Sequence, residues 1–459
     1  MYDFLGYILY ELKNKMALAL LILVPLAAAL GIFLLIRKKR GKEIGGRYWR
    51  RWTLYFLLGG YLIVLLAVTL LRMGYGWREI SLHPFRAWRE AWNDFSFKSW
   101  SNVMLNIAMF VPAGFLPAVL WEKLRKWYRM IPLGSALSLL IELAQLAIAR
   151  GICDVDDWIA NSLGTVLGFF LAMAWIHLRD RKGFLRYCGL SLVMLILIGS
   201  PFGLYELKTY GNLPQAPAYK LNTRETQWVL HCVLPQEADR VTVYQTDALT
   251  PEECLQVARQ IAAALDYTVA MESYYQDEGY FHLDPHGILR VFYRGGGWEL
   301  SDFSNREEER WAQWQRAEVE QALSGLPVQI PETAVFTQEE DGWYAFSCDG
   351  QQQGEILRDG TLRCRIREDG KIQEIETDLL SYVCHSDTAI LSAEEAWERI
   401  KKGYFRDEIG FERSNPPIVS VSDCRLVYLI DTKGFYRPVW EFTVSADTGY
   451  GADKIFIPA

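Results

Sequence analysis

The chain has 459 residues, 51% hydrophobic and 22% charged, with a net charge of −7, and is long enough for two or three domains. The charge is unevenly spread: residues 1–204 hold 24 basic and 12 acidic side chains, whereas residues 205–459 hold 24 and 43. A basic apolar half followed by an acidic polar half is the pattern of a membrane anchor carrying a water-soluble domain, and it gives no support to nucleic acid as a partner.

Six apolar stretches are long enough, or nearly so, to cross about 30 Å of hydrocarbon at about 1.5 Å per residue. They run Met16–Ile36, Leu54–Leu71, Val103–Leu120, Ile131–Ala149, Trp158–Ile176 and Tyr187–Leu204. The first resembles a signal peptide, but Arg37-Lys38-Lys39-Arg40 follows at once and favours an uncleaved helix. The loops after the first, third and fifth stretches are basic, with Arg47, Arg50 and Arg51, then Lys123, Arg125 and Lys126, then Arg179, Arg181 and Lys182. The positive-inside bias puts these loops in the cytoplasm. The 72–101 and 150–156 loops, and everything after the sixth helix, then face outward from the plasma membrane.

Polar residues interrupt the apolar stretches at the outward end. Asn102, Asn106, Pro112 and Gly114 lie on the third; Glu142 and Gln145, three apart and so on one face, lie on the fourth, which Arg150 ends. Asp154, Asp156 and Asp157 follow in a short loop, and Asn161, Gly164 and Gly168 continue the stripe from Asp157 along the fifth. At helical rise Glu142 lies about 12 Å below the end of its helix, a depth Asn106 and Asn161 share closely enough to form one polar pocket. Asn106, Glu142, Gln145, Arg150, Asp154, Asp157 and Asn161 are its candidate ligand-binding residues. There is also a structural reading, in which Gly164 and Gly168 serve close helix packing and Asp154 and Asp157 cap the fifth helix. A buried Glu142 needs a partner or a proton, and Arg150 is a candidate partner.

These residues resemble the VanZ-like family of bacterial membrane proteins. The resemblance rests on Asn106 with Pro112-x-Gly114, on Glu142-x-x-Gln145 with Arg150, and on Asp154-x-x-Asp157 with Asn161, Gly164 and Gly168. His83-Pro84-Phe85 is similar to that family's Pro-Phe motif, with His in place of Asn. The resemblance covers residues 55–180 and implies a Gram-positive plasma membrane. It also implies an association with reduced susceptibility to teicoplanin and other lipoglycopeptide antibiotics.

After a Pro/Gly-rich linker through Gly211 and Pro214, the soluble half reads as mixed helix and antiparallel strand. Capping-box starts at Thr250 and Ser392 predict helices, the first running to Leu265, and Asn305–Leu323 reads as another. Hairpins are predicted at Thr361–Glu376, turning at Asp369-Gly370, and at Arg425–Val444, turning near Thr432-Lys433-Gly434. Residues 390–459 loosely resemble PepSY-like or YycH/YycI-like extracytoplasmic modules, whose role is binding or regulation. Eight cysteines form no CxxC pair, and the six in this half are compatible with disulfides or with plain core packing. His282 and His286 flank Asp284, but no third metal ligand is evident.

The expected fold is therefore an all-α bundle of six transmembrane helices followed by an α+β domain with antiparallel sheet. The expected divisions are 1–52, 53–204, 205–345 and 346–459. Three functions compete. The first is a protein that binds membrane lipid, a lipid-linked cell-wall precursor or a lipoglycopeptide through the pocket, with a membrane or cell-wall protein as a further partner. The second is an enzyme in which Glu142, Asp154 and Asp157 hold a divalent cation and act on a lipid or isoprenoid phosphate. The third is a cell-envelope sensor. No nucleophile stands beside a base, and no cofactor is called for.

Overall fold

The computed structural model describes residues 46–70, 78–148, 151–236, 240–275, 278–304, 310–414, 416–446 and 452–459. The expected first span, Met16–Ile36, and Arg150 lie outside the described residues. The chain divides into two compact units, 1–209 and 210–459.

The first unit contains helices α1 (Gly46–Leu70), α2 (Arg86–Asp94), α3 (Phe97–Leu120), α4 (Trp127–Ala147), α5 (Val155–Ile176) and α6 (Arg181–Glu206). Among the described residues, five helices are long and apolar enough to cross a membrane: Arg51–Leu70, Lys98–Leu120, Trp127–Ala147, Val155–Ile176 and Arg181–Glu206. They coincide with the last five predicted stretches, and this unit is that of a membrane protein. More than half of the residues in the apolar stretch of α5 are buried but few of those in α6, so among the described residues α5 is the interior helix and α6 lies outermost. Leu192, Leu195 and Leu197 on α6, and Leu139, Leu140 and Leu143 on α4, are exposed accordingly.

Glycine sets the closest contact in the bundle. A Cβ on Gly164 would overlap the carbonyl oxygen of Ile107, one on Gly168 that of Val111, and one on Gly114 that of Thr165. Backbones of α3 and α5 thus touch, which is how small residues drive helix association where lipid removes the hydrophobic incentive. Asp154 and Asp180 cap α5 and α6 through side chains that accept backbone N–H bonds.

Two short strands, β1 (Arg78–Ser81) and β2 (Gly151–Asp154), pair in parallel with Ser81 opposite Asp154. They join the segment after α1 to the segment between α4 and α5, at one end of the bundle. The C-terminus of α6 reaches the same end, because Tyr205 stacks on Phe95 at 3.4 Å between centroids and Phe202 lies 4.8 Å from Trp100. The basic loops around Lys123 and Arg179 lie at the opposite end.

The second unit begins with β3 (Gln227–Leu230), β4 (Arg240–Gln245), α7 (Pro251–Ala264), β5 (Thr268–Tyr274), β6 (Glu278–Asp284), β7 (Gly287–Phe292), β8 (Trp298–Asp302) and α8 (Arg316–Leu323). It continues through β9 (Val335–Gln338), β10 (Trp343–Gln353), β11 (Ile356–Ile366), β12 (Ile372–Thr377), β13 (Leu380–Ala389), α9 (Ala393–Lys401), α10 (Phe411–Ser414), β14 (Ile418–Ile430), β15 (Phe435–Ala446) and β16 (Ala452–Pro458). The strands form one sheet, ordered β3-β14-β15-β4-β13-β11-β12-β8-β7-β6-β5, with β16 beside β15 and β10 and β9 branching from β11. Pairing is antiparallel except for β3 with β14. Of its two large cores, one is built around Phe281, Trp298, Tyr344 and Ile375, the other around Trp397, Phe405, Trp440 and Phe442.

Both capping boxes and both hairpins appear as predicted, with Gly370 and Gly434 at positive φ in the turns. The helix predicted over Asn305–Leu323 is shorter. Gln315 and Glu318 form a capping box that starts α8 at Arg316, and before it Trp311 bridges Arg367 while the Ala312 N–H bonds to the Ile366 carbonyl. Residues 210–214, predicted as linker, are built into the second unit instead. Asn212 and Leu213 are buried, Asn212 N–H donates to Thr432 Oγ1 at 2.8 Å, and Tyr210 meets Ser386 Oγ at 2.7 Å.

Candidate functional site

The polar residues read from the sequence gather at the end of the bundle where β1 and β2 pair. Glu142, in the last two turns of α4, is 3% exposed. One of its carboxylate oxygens accepts the Asp154 backbone N–H at 3.3 Å. It lies within electrostatic reach of the Asp157 and Asp154 carboxylates, and it makes no ion pair among the described residues. Asp157, in the first turn of α5, accepts from Asn106 Nδ2 on α3 at 2.5 Å. Asn106, Glu142, Asp154 and Asp157 are thus brought together by α3, α4, β2 and α5.

Gln145 and Asn161 take other partners. Gln145 Nε2 donates to the Thr69 carbonyl at the end of α1, 3.0 Å away, so Glu142 and Gln145 share a face of α4 but serve different neighbours. Asn161 Nδ2 donates to Ser138 Oγ on α4 at 2.9 Å, while its Oδ1 is buried with no hydrogen-bond partner among the described residues. Along α5, therefore, Asp157, Gly164 and Gly168 meet α3 while Asn161 meets α4.

Asp156 has a part that its sequence position did not reveal. It is 2% exposed, and its two oxygens accept the backbone N–H groups of Phe85 at 2.5 Å and Ala87 at 2.6 Å. Phe85 sits at φ 63, left-handed backbone that costs a non-glycine residue about 1 kcal/mol or more. The Asp156 carboxylate holds that strained turn and satisfies the first N–H groups of α2. The Pro84-Phe85 pair and the aspartate run are therefore two halves of one contact. Ser135 and Ser138 were missed as well; Trp158 Nε1 donates to Ser135 Oγ at 2.9 Å. Serines three apart in an apolar helix were the available signal.

At the mouth of the cluster, burial pushes the Asp154 carboxyl above the usual carboxylate range; the Asp156 N–H bond and the Arg86 guanidinium pull against it. Among the described residues, no three His, Cys, Asp or Glu side chains come together in a group that could hold a metal ion, either here or around His282, Asp284 and His286.

A bundle of apolar helices whose interior helix is pinned through glycine and whose polar groups meet at one end defines a polytopic membrane domain. Residues 58–177, from within α1 to the end of α5, match the family model described as VanZ/LLP1, so this part of the chain is a VanZ-like membrane domain. No curated protein matches the chain. Among solved structures, the Bacillus megaterium YpeB C-terminal domain is similar at 14% identity, over 46% of this chain and 99% of that one, with a TM-score of 0.20.

Proposed function

We propose that the polar end of the bundle binds the headgroup of a membrane lipid, a lipid-linked cell-wall precursor or a lipoglycopeptide antibiotic. On this reading the protein contributes to teicoplanin-type resistance in a Gram-positive plasma membrane. The observation that carries it is Glu142: a carboxylate inside an apolar helix, 3% exposed, with one backbone hydrogen bond and no ion pair among the described residues. An ionisable group at such a position is costly and marks a functional site by default. The orientation that fits puts this end outward and the basic loops in the cytoplasm, with the second unit extracellular.

Glu142→Gln tests the reading, since glutamine keeps the shape and much of the hydrogen bonding but removes the charge. Teicoplanin protection in cells should be lost while the abundance of the protein in the membrane stays unchanged. Full protection by the variant would refute the reading, and protection that falls only in step with abundance would show that Glu142 is structural. Orientation is tested by labelling single cysteines from outside intact cells; positions in 205–459 should react and those in 37–51 should not.

A further inference from the structure

Strand β3 pairs in parallel with β14 in the register Trp228 opposite Val419 and Leu230 opposite Val421. These four side chains face the core around Trp440 and Phe442. The ladder runs on past the end of β3, because the His231 N–H donates to the Val421 carbonyl at 2.8 Å. Two residues beyond Leu230, Cys232 packs on that same core.

On the other strand a bulge between Val421 and Asp423 inserts one extra residue. The next core-facing position of β14 is therefore Cys424, three residues on from Val421 instead of two, and it is 7% exposed. Cys232 and Cys424 thus pack on one core, from just past the end of β3 and from β14, within electrostatic reach of one another. Neighbouring strands lie about 4.8 Å apart, within the Cα separation of roughly 4.4–6.8 Å that a disulfide spans. Both thiols are free in the structure. Cys254, Cys348 and Cys364 sit in the other core, and Cys384 is exposed on β13.

We propose that Cys232 and Cys424 are a redox pair that closes into a disulfide joining β3 to β14. Cys232, half-buried, is the thiol that a small disulfide oxidant reaches. Its thiolate attacks one sulfur of the oxidant, expels a thiolate and leaves a mixed disulfide. The Cys424 thiolate then attacks the Cys232 sulfur, forms the protein disulfide and expels the second thiolate. Two protein thiols are oxidised, one oxidant disulfide is reduced to two thiols, and the two protons pass to the leaving thiolates.

Burial pushes both thiols up, Cys424 to about 12, and the nearby Asp423 carboxylate adds to the rise. Exchange needs the thiolate, so it quickens as the pH rises. The bond fastens an edge strand near the start of the second unit to the sheet by its far end, and it closes a loop of nearly two hundred residues in the unfolded chain, the long-loop case in which chain-entropy arguments expect the greatest stabilisation.

The test uses the full-length protein in lipid nanodiscs, with Cys384→Ser to remove the exposed thiol. The protein is incubated with oxidised glutathione at about pH 8.5, where ordinary thiols are half ionised, then quenched with N-ethylmaleimide after unfolding and digested. The expected product is a peptide pair joined through Cys232 and Cys424, returned to two thiols by reductant. Adding Cys424→Ser should leave glutathione trapped on Cys232. Recovery of both cysteines as alkylated thiols would overturn the proposal. Glutathione persisting on Cys232 while Cys424 stays alkylatable, in the chain that retains both, would overturn it as well.

Discussion

Asn106 and Asp157 meet across the crossing of α3 and α5, the amide Nδ2 2.5 Å from the carboxylate oxygen. A hydrogen bond to a charged acceptor is worth about 1.5–3 kcal/mol, and more is lost when the acceptor stays buried without it. Asn106→Leu should lower the midpoint of thermal unfolding in nanodiscs by several degrees. Asn106→Ser keeps a short donor and should lower it less. Equal midpoints for the two variants would mean that the retained donor contributes nothing.

Glycines in this unit divide by what surrounds them. Gly164→Ala places a methyl group against the Ile107 carbonyl, whereas Gly199 on α6 has open space around its Cβ position. Overpacking costs about 1–3 kcal/mol, and an alanine in open helix is neutral or mildly stabilising. Membrane abundance and melting temperature should therefore drop for Gly164→Ala and hold for Gly199→Ala. Parity between them would count against the close α3–α5 contact.

Asp156 makes a prediction about backbone order. Asp156→Ala releases the N–H groups of Phe85 and Ala87 together. Hydrogen exchange at those two amides should accelerate by roughly one to two orders of magnitude, the rate equivalent of about 1–3 kcal/mol. Asp156→Asn keeps one acceptor oxygen and should fall between. Unchanged exchange at both amides would show that the turn is held by something else.

The second unit should show a pH signature at Asp359. Burial pushes its carboxyl above the usual range; the N–H groups of Gly350 and Gly360 oppose the rise, and the carboxylates of Asp349 and Asp378 add to it. A raised folded-state pKa means that the folded form binds the proton more tightly than the unfolded form. Its contribution is thus complete below an ordinary aspartate value of about 4 and is lost as the pH climbs through the raised value. Asparagine does not titrate. The melting temperature of Asp359→Asn relative to the natural chain should therefore rise with pH from about 4 upward and then level off. A relative melting temperature that falls as the pH rises would invert the assignment.

How much of this could be read from sequence depends on the range of the interaction. Five spans were legible because the length of an apolar run is a local property, and Thr250 and Ser392 announced helices because a capping box closes within four residues. Asn106, Glu142, Asp154 and Asp157 could be placed near one another by counting helical rise from the helix ends. Their individual partners could not. Gln145 turns to Thr69 and Asn161 to Ser138, choices set by the rotation of each helix about its axis, which spacing alone leaves free. The β1–β2 pair was invisible for a related reason: its four-residue strands lie 70 residues apart and have no pattern of their own. Asp156 was passed over between two aspartates that fitted the expected motif. Its partners are backbone N–H groups, which leave no mark on the identity of the residues that carry them.

The burial of residues 210–214 has a practical consequence for anyone producing the water-soluble portion by itself. Sequence alone suggests cutting inside the Gly211–Pro214 stretch. A fragment beginning at Gln215 would strip the hydroxyl of Thr432 of its Asn212 partner and remove Tyr210 from the side of Phe435, where the rings meet at 90°. It would also open a slot beside Asp431, a fully buried carboxylate one of whose oxygens has no hydrogen-bond partner among the described residues. Gly211 fills that slot now, and no residue with a Cβ fits there without displacing Asp431 or the Lys433 backbone. The fragment to express starts no later than Tyr210, and the three residues 207–209 are the place for the cut.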